Sequence, residues 1–163
     1  MPRDFPYLTA DGELAGLEGL ADAYVTVSDY QPLADDTNAS EENDLPRTET
    51  RYVVRGGRLT CIGKTWRRYT HRTACGWPSV REETWRAASA TSDVTDPTNA
   101  YSFEETFSTT AENVPIVLRG RVVHERDEDG TETEHSFALA DETVVETVRR
   151  TFDGVAFPTY ERL

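Results

Sequence analysis

The sequence predicts a mainly β, antiparallel domain: a β-sandwich or small barrel with one C-terminal helix. Three observations carry that expectation. Gly56-Gly57 separates two β-rich runs within residues 50–62, TRYVVRGGRLTCI. Both glycines can take the positive φ that a two-residue hairpin turn requires. Asp127-Glu128-Asp129-Gly130 separates two further runs, and Asp-Gly is a strong hairpin signal. Tyr101, Phe103 and Phe107 alternate with Ser102, Glu104, Thr106 and Ser108, which is the period of a strand with one aromatic face. At 163 residues, one domain spanning 1–163 is expected, with enough aromatic material for a core.

Taken in order, residues 1–10 read as an extended N-terminal arm. Pro2 and Pro6 bar a helix there and bias their neighbours to extended backbone. Residues 11–24 place Leu14, Leu17, Ala21 and Tyr24 near helical spacing after a capping Asp11. Gly12, Gly16 and Gly19 weaken this helix. Tyr24 to Val27 then reads as a strand. Residues 31–48 are polar, acidic and bracketed by prolines, the composition of a loop.

The hairpin about Gly56-Gly57 runs into KTWRRYTHR, residues 64–72. Strand alternation puts Trp66, Arg68, Thr70 and Arg72 on one face and Thr65, Arg67, Tyr69 and His71 on the other. Gly76-Trp77-Pro78 breaks the run, and residues 81–91 suit another strand. A long hairpin is expected over 114–139, with His124 and His135 on opposite arms. Residues 141–152, DETVVETVRRTF, predict the C-terminal helix. Asp141 caps it, Glu142 and Arg149/Arg150 complement the macrodipole, and Val144, Val145, Val148 and Phe152 make an apolar stripe. Glu146 and Arg150 form an i,i+4 pair, and Gly154 ends the helix. Residues 155–163 read as an extended C-terminal arm.

Composition narrows the class. Acids outnumber Lys plus Arg 30 to 17, and Lys64 is the single lysine. Such a chain repels itself at low salt, whereas at molar salt the Debye length falls to about 3 Å. Hydrated carboxylates also keep a surface soluble. The composition therefore predicts a high-salt setting, the virion or cytoplasm of a halophile. No stretch approaches the roughly 20 apolar residues of a membrane-spanning helix. The N-terminus also lacks the apolar core of a signal peptide.

Charge is segregated. Residues 51–86 hold all three tryptophans, both cysteines and a net charge of +7, against −13 for the whole chain. Candidate partner- or anion-binding residues collect there: Arg58, Lys64, Trp66, Arg67, Arg68, Tyr69, Arg72 and Trp77. Arginine and lysine can neutralise phosphates while aromatics stack on bases. The same patch can instead meet an acidic surface of a second copy, or its arginines can lie over tryptophans and pair with local acids.

No catalytic, cofactor or metal motif emerges. There is no G-x-S-x-G, and the Gly63-Lys64-Thr65 ending lacks the glycine five residues earlier that a phosphate loop needs. Cys61, Cys75 and His71 match no zinc spacing. The expectation is a non-enzymatic structural subunit that assembles with itself and other structural subunits. A virion component such as a tail-tube, connector or capsid-associated protein fits. A nucleic-acid or anionic-ligand module is the second choice.

Overall fold

The computed structural model describes residues 22–37, 45–140, 143–152, 154–156 and 160–162. These form ten strands: β1 (Ala23–Asp29), β2 (Thr48–Arg55), β3 (Arg58–Ala74), β4 (Trp77–Ala87), β5 (Ala100–Phe107), β6 (Val122–Arg126), β7 (Glu132–Ala140), β8 (Thr143–Phe152), β9 (Val155–Ala156) and β10 (Tyr160–Arg162). All pair antiparallel in one sheet, ordered β1-β2-β3-β4-β5-β6-β7-β8-β10, with β9 also on β8. The chain is a meander, each strand beside its predecessor up to β8. The described residues thus form one continuous antiparallel sheet, and the two separate sheets of a sandwich are not found among them.

The turns explain the meander. Gly56 and Gly57 have φ of 55° and 71°, the paired left-handed conformation of a type I′ hairpin, as expected. Cys75 and Gly76 repeat it with φ of 48° and 84°. That turn joins the two longest strands where the sequence shows only a break. At the β6–β7 tip Asp127 accepts from Gly130 N at 3.0 Å and donates to Thr131 O at 2.9 Å.

The expected helix over 141–152 is instead strand β8 from Thr143 onward, paired with β7 at nine successive positions. Six of its ten residues are β-branched, which stiffens χ1 in a helix and suits a pleated surface. Val148 is buried opposite His135, and Glu146 meets His135 rather than Arg150. Gly154, with φ of 78°, turns β8 into β9. The C-terminal arm is likewise revised: β9 and β10 fold back onto β8. The expected arm 1–10 and residues 11–21 of the N-terminal helix lie outside the described residues, and Ala23 and Tyr24 open β1. The hairpin predicted over 114–139 is shorter. Pro115 lacks a donor, and residues 114–121 form successive turns, including Leu118 N to Pro115 O at 2.9 Å.

Those turns build the core. Val114 and Leu118 reach down onto Phe107, Val123 and Phe137, flanked by Ala74, Trp77, Ala111 and Val144. Phe107 packs edge-on against Trp77 and Phe137, with centroids 6.0 and 5.4 Å apart. Residues from β3 and β8 share this cluster, so the sheet curls about it.

The described parts of the acidic loop, 31–37 and 45–47, line the edge of β3 that β2 leaves uncovered. Arg67 N donates to Arg47 O, Thr37 N to Tyr69 O, and His71 N to Thr37 Oγ1, each at 2.8 Å. The anchor is Arg47, 1% exposed. Its Nε donates to Asp36 at 2.6 Å, one NH to Leu45 O at 2.9 Å, and its guanidinium lies 4.5 Å over the Tyr69 ring.

Two stability measurements test this packing. Phe107→Ala is expected to cost about 3–5 kcal/mol in urea unfolding, and Ile116→Ala, at 81% exposure, no more than about 0.5 kcal/mol. Arg47→Met, which breaks the buried Arg47–Asp36 pair, is expected to cost about 3–5 kcal/mol. The double change Arg47→Met/Asp36→Leu should recover most of it.

Candidate functional site

The pleat of β3 sets Lys64, Trp66, Arg68, Thr70 and Arg72 on one face, and the register carries that face across five strands. Arg68 lies opposite Glu83, Thr70 opposite Arg81 and Arg72 opposite Ser79. Glu83 then lies opposite Phe103, and Arg81 opposite Glu105. Phe103 lies opposite Arg126 and Glu105 opposite His124, and His124 opposite Glu134. The result is a grid of arginine, carboxylate and aromatic side chains.

Its contacts are specific. The Arg68 guanidinium donates to Glu83 at 2.7 Å and lies 5.2 Å over the Trp85 ring. Glu83 also accepts the Tyr101 hydroxyl at 2.8 Å. Buried Glu105 accepts from Ser79 Oγ at 2.7 Å and from Arg81 at 3.0 and 3.1 Å. Arg81 lies 4.1 Å over Phe103 and donates to His124 Nδ1 at 3.2 Å. Because Nδ1 accepts, the neutral His124 ring carries its proton on Nε2, which faces Glu132 at 3.4 Å. Arg126 donates to the same Glu132 at 2.8 Å, and that hydrogen bond keeps the Glu132 carboxyl below the usual range.

Next to the grid, β6 pairs with β7 through three positions only. Where the strands part, a cleft of about 330 Å³ opens, lined by Arg72, Cys75, Arg81, Glu105, His124 and His135 among others. A slip of register between Glu105 and Thr106 aims Val123 at the core and His124 at the grid, as bulges do. His135 is held by Glu146, Nδ1 to Oε1 at 2.6 Å. The two histidines do not face each other across the hairpin: the register sets His124 against Glu134.

The residues predicted from the basic segment divide into three groups. Trp66 and Tyr69 are buried, at 4% and 2% exposure, and Trp77 packs on Phe107. Arg67, Arg68 and Lys64 are engaged: Arg67 pairs with Glu49 and Glu82, Arg68 with Glu83, and Lys64 lies over Trp66 and donates to Ala90 O and Ser92 O. Arg72 is half-exposed, 3.6 Å from Glu105. Arg58 is exposed at the hairpin tip, opposite Arg55. Among the described residues, Arg51, Arg55 and Arg58 have no carboxylate partner.

Cys61 and Cys75 are free thiols. They sit fourteen residues apart along extended β3 and its turn, roughly 45 Å at strand rise, which excludes a bond between them. Among the described residues, no group of three or more His, Cys, Asp or Glu is arranged to hold a metal ion.

The opposite face carries an acidic row. Glu82, Glu104 and Glu125 lie in direct cross-strand register and, with Asp127, line a groove of about 280 Å³. Arg67 meets Glu82 at 3.7 Å, and His135 meets Glu125 at 3.8 Å.

No protein-family model, no curated protein and no solved structure matches the chain.

The grid has a titration signature. Burial, then the hydroxyl's bond to Glu83 and that carboxylate's charge, push the Tyr101 phenol up to about 12, with Arg81 and Arg68 opposing. A raised pKa favours the protonated form in the fold, so this contribution is present below about pH 10 and is lost as pH rises towards 12. Ultraviolet titration should show a late phenolate step that is missing in Tyr101→Phe.

Proposed function

We propose that the chain is a non-enzymatic structural subunit that works as repeated copies at high salt. The supporting observation is its single open sheet. A sheet becomes stable by covering a face and closing or protecting its edges. Among the described residues, the compact apolar core lies at one end of the sheet, β1 has no strand on its outer side, and Tyr24, Ile62, Ile116, Val117 and Val155 are more than half exposed. Copies set beside one another would supply the missing cover, and closure into a barrel or tube would then belong to the assembly. A tail-tube, connector or capsid-associated part of a halophilic virus suits such a subunit.

The polar chemistry supports a structural role. Glu105 spends its oxygens on Ser79 and Arg81, and His124 is held between Arg81 and Glu132. Charge favours self-contact: Arg55 and Arg58 stand together at one hairpin tip, while Asp127, Glu128 and Asp129 are exposed at another. The alternative, an anion-binding module, has a narrower base than the sequence alone suggests. The aromatics available for stacking are largely buried, and among the described residues of the basic segment Arg51, Arg55 and Arg58 are the arginines without a carboxylate partner.

Light scattering from about 0.1 M to multimolar KCl tests the proposal. The expected result is a mass that rises with salt to a multiple of 18.3 kDa. An 18.3 kDa monomer that stays compact at every salt overturns it.

A further inference from the structure

We propose that β1 of one copy pairs antiparallel with β1 of a second copy about a two-fold axis through Thr26, joining two sheets into one. This rests on the repeated-subunit reading and names its contact.

The sheet ends at β1 and at β10, and β10 is only three residues long, whereas β1 offers a full edge. The free edge of β3 is covered by Thr37 and Arg47, and β8 is covered by β9 and β10. β1 pairs with β2 through all seven of its residues without a register slip. Among the described residues, nothing hydrogen-bonds to its far side. Alternate backbone N–H and C=O groups of an edge strand point outward, ready for a further strand. Proteins usually guard such an edge with proline, lysine, a bulge or a very short strand. AYVTVSD contains no proline and no lysine, is regular, and is seven residues long.

The occupant that fits best is the same strand reversed. Thr26 is the midpoint of Ala23–Asp29, so a two-fold axis there uses every position. It sets Ala23 against Asp29, Tyr24 against Ser28, Val25 against Val27, and Thr26 against itself. No two like charges oppose, and the Val–Val and Thr–Thr pairs are of favourable kinds. Moving the axis to Val27 would set Asp29 against Val25 and leave Ala23 and Tyr24 without partners. Tyr24, 79% exposed, would be covered by the second copy. Cyclic two-fold contacts of this self-complementary kind are the commonest in homo-oligomers. The strong net negative charge of each copy opposes the contact at low salt and is screened at high salt.

Thr26 is exposed, so changing it leaves the fold intact, and circular dichroism verifies this. Thr26→Lys places like charges directly opposite each other across the axis. In molar KCl the expected outcome is at least a tenfold weaker association, with the mass halved. Thr26→Cys in a Cys61→Ser/Cys75→Ser background should form a disulfide-linked dimer under mild oxidation. Opposed residues in an antiparallel pair lie about 4.5–5.5 Å apart at Cα, within disulfide reach. If Thr26→Lys leaves a wild-type oligomer unchanged, the β1 contact is wrong while the assembly reading stands. If Thr26→Lys dissociates the oligomer but Thr26→Cys does not cross-link, β1 pairs with a different edge and the two-fold is overturned. A wild-type monomer at every salt overturns both readings.

Discussion

A single sheet must cover both of its faces with its own side chains, and most of this structure follows from that constraint. Among the described residues, burial is found in two ways. At one end, the 108–121 turns fold over the sheet, and Val114 and Leu118 make a small apolar core with Phe107 and Phe137. Elsewhere the face is covered by arginines lying across aromatics: Arg68 over Trp85, Arg81 over Phe103 and Arg126 over Tyr101. An arginine stem covers apolar area while its head stays hydrogen-bonded. That is how a sheet rich in charge can still keep Trp66, Phe103 and Glu105 from water.

Such a grid needs both signs in strict register. Arg68 of β3 is set against Glu83 and Arg81 of β4 against Glu105 on the next strand, where cross-strand neighbours lie about 4.5–5.5 Å apart at Cβ. Unpaired buried charge would cost several kcal/mol, and here the pairing is close to complete: Glu83 serves Arg68 and Tyr101, and Glu105 serves Ser79 and Arg81. The basic segment is thus basic for internal reasons. Its paired arginines meet Glu82 and Glu83 of the same segment and Glu49, Glu105 and Glu128 from outside it, while Arg51, Arg55 and Arg58, on β2 and its hairpin tip, lie beyond the grid.

That distinction marks the boundary of what was legible. The β class, the Gly56-Gly57 hairpin, the Asp127–Gly130 turn and the aromatic face of β5 are local signals, and each is present. The segregation of faces along β3 was also readable, since alternation needs no partner. The helix expected over 141–152 fails because an apolar spacing of three and four residues says nothing of residue type. Val144, Val145, Thr147 and Val148 decide for a strand once β7 lies alongside. The Cys75-Gly76 turn was hidden because cysteine rarely takes positive φ. Glu105, Arg81 and His124 were not seen as a group because three different strands bring them together, and register between strands is not written in any one of them.

The acidic remainder takes on a physical role in this light. Within the grid, carboxylates neutralise arginines at short range, and salt does little to such buried pairs. Outside it, the row Glu82, Glu104 and Glu125 and the tip Asp127–Asp129 face solvent with less compensation. Salt acts chiefly on these long-range repulsions, within each copy and between copies. A protein built this way loses little internal cohesion at molar salt and gains relief from self-repulsion. The same screening that weakens binding to a polyanion relieves the repulsion between two like-charged copies.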